Sequence, residues 1–238
     1  MELFFVLAAS LLPALFLLLY IWKKDPQKEP TSQLVKAVVW GVAICIPVAI
    51  LEDVIDSWLF GEGGASSILD TTLMAFFVAA LPEEACKLFV LWLILRKDPY
   101  FDEHFDGIVY AVCVGLGFAA IENIFYVLGE GDGWMKVAVT RALLAVPGHY
   151  AFAIMMGYYY SVYHFVDHSP KVAACVLLVP VMAHGIYDAL ALSGMVDPSL
   201  GVLCFFVLIW FCVKMHKRAR TKVVALITKD KKERGIIS

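Results

Sequence analysis

Residues 81–95 read LPEEACKLFVLWLIL, an apolar run that carries two glutamates and a lysine near its start. The apolar character begins further back in the chain, so Glu83, Glu84 and Lys87 fall near the middle of a predicted membrane span, residues 68–95. A charged group in the middle of a bilayer costs at least a few kcal/mol, roughly 2.5–3.5 on insertion scales. The stretch therefore predicts a transmembrane helix that carries a buried polar site with a function.

Similar apolar runs recur along the whole chain, which has 238 residues, 61% of them hydrophobic and 17% charged. A soluble domain is only about 45–50% apolar. The predicted spans cover residues 3–22, 34–55, 68–95, 105–128, 136–163, 171–193 and 200–214. We therefore predict an all-α, polytopic transmembrane helix bundle of about seven spans. It forms a single domain over residues 1–214, with the site on spans within 68–193, and residues 215–238 form a basic cytosolic tail.

Basic residues are concentrated in alternate loops, with Lys136 as the exception. They are Lys23, Lys24, Lys28, Lys36, Arg96, Lys97, Lys171, Lys214, Lys217, Arg218, Arg220 and Lys222. The positive-inside rule then predicts that the N-terminus lies outside and the C-terminus in the cytosol. The first run, residues 3–22, lacks a basic n-region and a small-residue cleavage site, so we interpret it as a retained span.

Only two of the 19 Lys and Arg residues, Lys87 and Arg141, fall inside predicted spans and away from their ends. Lys87 lies four residues after Glu83 and three after Glu84, so both carboxylates reach one ammonium group on the same helix face. This arrangement suits a general base beside a positioning charge; the alternative is a structural ion pair. We expect Arg141 to extend to the lipid headgroups, with a role beside the site as the alternative.

Three further spans carry ionisable residues in apolar surroundings. Glu122 shares a helix face with Phe118, four residues before it, and His149 lies on the next span. His184 and Asp188 are one helical turn apart, so the aspartate can accept a proton from one imidazole nitrogen and fix the ring's tautomer. A lone histidine on an apolar helix is usually a core residue. Two of them at similar depth indicate a functional site.

Prolines precede these residues. Pro82, Pro147 and Pro180 each lie one to four positions before a predicted site residue, whereas Pro47 has no such companion. Proline removes a helical hydrogen bond and frees a carbonyl about one turn earlier. Broken backbone at membrane depth is tolerated where it lines a wet cavity, so we expect such a cavity at the site.

Together these motifs resemble the PrsW family of bacterial intramembrane proteases. The resemblance spans about residues 82 to 190 and consists of Glu83-Glu84-x-x-Lys87, Phe118-x-x-x-Glu122-Asn123, His149 and His184-x-x-x-Asp188. The related CAAX-processing and bacteriocin-processing membrane proteases have Glu-Glu-x-x-x-Arg, Phe-x-x-x-His and His-x-x-x-Asn instead. This chain differs from them by a lysine one residue earlier, by Glu122 in place of histidine and by Asp188 in place of asparagine.

The resemblance implies a multi-pass protein of the bacterial plasma membrane that makes the first, outer-side cut in a membrane-anchored anti-sigma factor. The implied partners are a single-span membrane protein substrate and the lipid bilayer, and we expect no nucleic acid. Two other classes stay open on the residues alone. One is a proton-coupled transporter that uses the carboxylates and histidines as a relay. The other is a non-catalytic receptor with a structural polar network.

Our mechanistic hypothesis is peptide hydrolysis by a glutamate-activated water. Glu83 or Glu84 takes a proton from water, and His149 or His184 holds the water or returns the proton to the leaving amine. No serine or cysteine lies beside a base in the spans, so we expect no covalent nucleophile.

Other residues would support this chemistry. Lys87 would hold the glutamate pair, Asp188 would orient His184, and Asn123 would help to stabilise the oxyanion. The alternative is a zinc enzyme in which three side chains bind the metal and leave a fourth position open: His149, His184 and Glu122. We favour the glutamic type, which needs no cofactor.

Overall fold

The computed structural model describes residues 2–237, and within them the chain is helical almost throughout. The α-helices, in chain order, are α1 (Glu2–Lys24), α2 (Thr31–Ala43), α3 (Cys45–Phe60), α4 (Ile68–Leu73), α5 (Leu81–Leu95), α6 (Asp106–Gly129), α7 (Trp134–Thr140), α8 (Val146–Phe165), α9 (Pro170–Val196) and α10 (Pro198–Glu233). Two π-helical segments, Met74–Ala80 and Arg141–Ala145, join α4 to α5 and α7 to α8. The described chain therefore forms seven long helical segments.

These segments confirm the all-α, seven-span prediction. Six of them are long and apolar enough to cross a membrane by length and composition alone. The remaining one, residues 68–95, is the segment that carries Glu83, Glu84 and Lys87. Many large apolar side chains point outward, among them Phe16, Trp58 and Phe206. Such a surface suits lipid, so the chain is an integral membrane protein.

The last helix is much longer than the predicted span of residues 200–214. α10 runs without a break to Glu233, so the basic residues after 214 lie on a helix. Its end is docked: the buried Asp230 carboxylate accepts hydrogen bonds of 2.9 Å from the backbone N–H groups of His104 and Phe105. These N–H groups precede α6, where a helix start leaves donors without partners.

Helix α6 lies at the centre of the bundle and packs against α1, α2 and α8. Close packing depends on small residues at the contacts. A side chain at Gly117 would collide with the backbone carbonyl of Val38 in α2, and one at Gly157 would collide with the backbone of Gly107. Small residues let membrane helices approach closely, and here they allow α6 to pack tightly against α2 and α8.

Both π-helical segments end just before a proline, at Pro82 and at Pro147. In each of them a backbone N–H group donates to the carbonyl five residues earlier, from Leu81 to Phe76 and from Val146 to Arg141. Because proline has no N–H to donate, the backbone widens ahead of it. The predicted disruption is thus confirmed at these two prolines. Pro180 differs from them, because it lies inside the continuous helix α9, with α-helix on both sides of it.

Candidate active site

The glutamate pair lies at the start of α5, directly after the first π-helical segment. The Lys87 ammonium is 2.8 Å from a carboxylate oxygen of Glu83 and 2.8 Å from one of Glu84. The three residues are only 5%, 1% and 3% exposed. The predicted sharing of one ammonium by two carboxylates is therefore present, and the ammonium also lies 4.2 Å from the centre of the Phe118 ring.

His184 on α9 connects this pair to Asp188. Its Nδ1 lies 3.1 Å from Glu84 Oε1, and its Nε2 lies 3.1 Å from Asp188 Oδ2 and 4.0 Å from Glu83 Oε1. The ring stacks on Phe152, with ring centres 4.7 Å apart. Both ring nitrogens thus face carboxylate oxygens, an arrangement that the doubly protonated ring satisfies with two donated hydrogen bonds.

His149 on α8 bridges the ion pair to Glu122 on α6. Its Nε2 is 2.7 Å from Glu122 Oε2, and its Nδ1 is 3.2 Å from the Lys87 ammonium. An ammonium group only donates, so Nδ1 must accept and Nε2 must carry the proton that Glu122 accepts. The two histidine rings lie 5.2 Å apart, which brings residues from four helices into one polar site.

The structure corrects two expectations about neighbouring residues. Arg141 does not extend to the headgroups: its Nη2 is 3.1 Å from Glu122, and its Nε donates to Asn123 Oδ1 at 2.7 Å. Asn123 does not offer its amide to an oxyanion, because its Nδ2 donates to the Ser10 carbonyl in α1. Asn123 therefore positions Arg141. The guanidinium pairs with the Glu122 carboxylate inside the bundle instead of with lipid headgroups, because a hydrogen bond between charged groups is strong there.

A cavity of about 600 Å³ opens beside these groups. Its lining includes Glu83, Phe118, Glu122, Arg141, His149, His184 and Asp188. Glu84 is not among the lining residues, because it is buried beneath Lys87 and His184. The cavity therefore reaches one of the two paired glutamates, Glu83.

Sequence reasoning missed one wall of this cavity. Three acidic residues of α3 line it: Glu52, Asp53 and Asp56. They lie five to nine residues after Pro47, the proline for which we had predicted no site companion. Carboxylates one turn apart near the end of an apolar span are the sequence signal for this wall.

The side chains that converge most closely could also hold a metal ion. One ligand atom from each of Glu83, Glu84, His149 and His184 lies within 4.8 Å of the other three. Imidazole nitrogens and carboxylate oxygens are ligands that zinc takes in proteins, and Glu84 Oε2 is buried with no partner among the residues that the structure describes. This donor set fits zinc, although it contains the glutamate pair instead of Glu122. The Lys87 ammonium lies between the same groups, so a metal there would have to displace it.

Comparisons with known proteins show the family to which this chain belongs. A family model described as "PrsW family intramembrane metalloprotease" matches residues 29–213. A protein named Protease PrsW from Oceanobacillus iheyensis is 36% identical over 221 residues, which cover 92% of this chain and 98% of that protein. Its namesake from Bacillus subtilis is 32% identical, covering 92% and 97%. No solved structure shows a significant match. The chain therefore belongs to the PrsW family of intramembrane proteases.

Proposed function

We propose that this protein hydrolyses peptide bonds of membrane-anchored proteins by a glutamate-activated water, with Glu83 as the general base. One observation carries the proposal: Glu83 is the glutamate of the pair that lines the cavity. The neighbouring residues keep the Glu83 carboxylate in place. Lys87 balances its charge at 2.8 Å, and Glu84 stays buried behind the same ammonium. A general base must reach its water, so access separates the two glutamates.

His184 is our proposed proton donor to the leaving amine. His184 lines the cavity, and its Nε2 lies 4.0 Å from Glu83 Oε1 and 3.1 Å from Asp188 Oδ2. Asp188 and Glu84 fix the ring by holding one nitrogen each. The proton that Glu83 takes from water can therefore reach the leaving amine by one of two routes, either through this ring or directly from Glu83.

We assign the stabilisation of the tetrahedral oxyanion to Arg141. A guanidinium has five N–H donors, and Glu122 and Asn123 face only part of them. The side chain lines the cavity and is held from two sides, so its remaining donors are pre-organised toward a developing negative charge. Asn123 then acts through Arg141 and does not touch the substrate.

A zinc-dependent mechanism with the same residues is the second candidate. It is favoured by the description of the matched family as a metalloprotease and by the convergence of Glu83, Glu84, His149 and His184. When bound, zinc would polarise the scissile carbonyl and lower the pKa of a water molecule. In this version Lys87 leaves its central position, and His149 stays oriented by its contact with Glu122.

For the substrate we propose a single-span membrane protein such as an anti-sigma factor, cut on its outer side at the plasma membrane. Support for this comes from the resemblance of the motifs. The cavity size is compatible with it, since about 600 Å³ admits an unwound peptide segment but not a folded domain.

The test is cleavage of a panel of single-span anti-sigma substrates by purified protein in liposomes, with and without a chelator. The matched control is Glu130→Gln, which changes an exposed glutamate beyond the end of α6. Cleavage that survives the chelator and is lost in Glu83→Gln supports the glutamic mechanism. Loss in the chelator with recovery on added zinc supports the metal version. Solute or proton flux without any cleavage would contradict both and favour the transport alternative.

A further inference from the structure

A second group of buried carboxylates lies far from the cavity, at the start of α6. Asp106 opens this helix sixteen residues before Glu122, roughly 24 Å away at 1.5 Å per residue. Asp25 follows α1, and Glu103 lies in the loop before α6. The three acids are 3% (Asp25), 7% (Glu103) and 0% (Asp106) exposed. One carboxylate oxygen from each lies within 4.8 Å of the other two.

Two of these carboxylates have an oxygen without a partner. Asp106 Oδ2 accepts hydrogen bonds from the backbone N–H groups of Asp102 and Glu103, at 3.2 and 2.7 Å. Asp25 Oδ1 accepts one from the N–H group of Gln27 at 3.1 Å. The second oxygen of each aspartate is buried and has no hydrogen-bond partner within residues 2–237. Buried polar atoms nearly always have partners, so these two oxygens indicate a missing ligand.

The charges around the group point to the kind of ligand. Arg234, directly after α10, contacts Glu103, with Nη2 2.9 Å from Oε1. The nearby Lys28 ammonium instead donates to backbone carbonyls, including that of Asp25 at 2.6 Å. The Lys28 ammonium and the Arg234 guanidinium lie near four carboxylates, because the buried Glu29 adds to the other three, and an excess of two negative charges remains.

We propose that Asp25, Glu103 and Asp106 bind a hard divalent cation of the Mg²⁺ or Ca²⁺ class. Carboxylate oxygens are the preferred ligands of these ions, and water completes the coordination shell where the protein supplies few ligands. A charge of +2 neutralises the excess and gives the two unpartnered oxygens a ligand. The bound ion would tie the α1–α2 loop to the start of α6 and, through Glu103 and Arg234, to the end of α10.

The experiment counts bound Mn²⁺ on the purified full-length protein by electron paramagnetic resonance, with Mg²⁺ and Ca²⁺ as competitors. Asp106→Asn keeps a side-chain carbonyl that can accept the Glu103 N–H but removes the charge. Asp25→Asn is the second variant, in case Asp106→Asn fails to fold. Asp132→Asn is the matched control, because Asp132 is an exposed aspartate after the other end of α6. Glu83→Gln separates this ion from any metal at the cavity.

We expect the wild type, Asp132→Asn and Glu83→Gln to bind one Mn²⁺ that Mg²⁺ or Ca²⁺ displaces, and the order of displacement identifies the preferred ion. Each aspartate variant should lose affinity about tenfold or more and should lose the rise in melting temperature that the cation gives the wild type. Wild-type protein that binds no Mn²⁺, or aspartate variants that bind it as tightly, would overturn the proposal. Stability that responds to pH but not to any divalent cation would show that the carboxylates share protons instead.

Discussion

Replacing Lys87 with methionine tests whether its ammonium is the charge that allows two glutamates to stay buried together. Lys87 is 3% exposed and lies 2.8 Å from both Glu83 and Glu84. Removing one partner of a buried ion pair costs about 3–5 kcal/mol, because the remaining charge is left without compensation. Lys87→Met keeps the length of the side chain, so most of this cost should be electrostatic.

The double variant Glu84→Gln/Lys87→Met tests whether the cost of losing the ammonium depends on the second carboxylate. It removes one negative charge together with the positive one, so we expect it to be more stable than Lys87→Met by about 1–3 kcal/mol. Unfolding of the purified protein in mixed micelles measures both differences. The control Lys136→Met, at an exposed lysine of α7, should change stability by no more than about 0.5 kcal/mol. Strictly additive costs for Glu84→Gln and Lys87→Met would refute the shared ammonium.

Three further predictions concern turnover and packing. Arg141→Gln should lower kcat in liposomes by about 10²–10³-fold with little change in KM, since an oxyanion donor acts in the transition state; an equal loss through KM would contradict that role. Asp188→Asn should slow cleavage about tenfold or more, because one side of the His184 ring loses its anionic acceptor, and unchanged single-turnover rates would argue against it. Gly157→Val should destabilise the bundle by about 1–3 kcal/mol in thermal unfolding, whereas Gly129→Val, in open space, should not.

The features that the sequence predicted well are local ones. Turn residues bound the apolar runs, so residues 68–95 were delimited correctly, and the i, i+4 spacing of Glu83 and Lys87 specified their ion pair before any fold was known. The π-helical segments before Pro82 and Pro147 follow from the missing N–H group of proline.

Contacts between helices could not be read from spacing. No spacing along the chain predicts that Glu84 contacts His184. Nor does any spacing predict that Arg141 points toward Glu122 instead of toward lipid. These contacts depend on the rotation of each helix in the bundle, which packing decides. For the same reason Asn123 was assigned to the cavity, although its amide donates to α1.

The length of α10 was underestimated for a different reason. A basic stretch after an apolar run is typical of a solvated loop, and hydropathy alone ends the span near residue 214. The helix continues because its far end is held by Asp230, which caps the start of α6 through the N–H groups of His104 and Phe105. Such long-range capping leaves no signal in a hydropathy profile.

The most direct test of the central claim compares Glu83→Gln with Glu84→Gln in single-turnover cleavage of one membrane-anchored substrate in liposomes, with unfolding curves for both variants. We predict that Glu83→Gln folds and binds substrate but slows cleavage by about 10²–10⁴-fold, the contribution of a general base. Glu84→Gln, which alters a positioning group outside the cavity lining, should keep measurable turnover. A folded Glu83→Gln variant that cleaves at the wild-type rate would contradict the account.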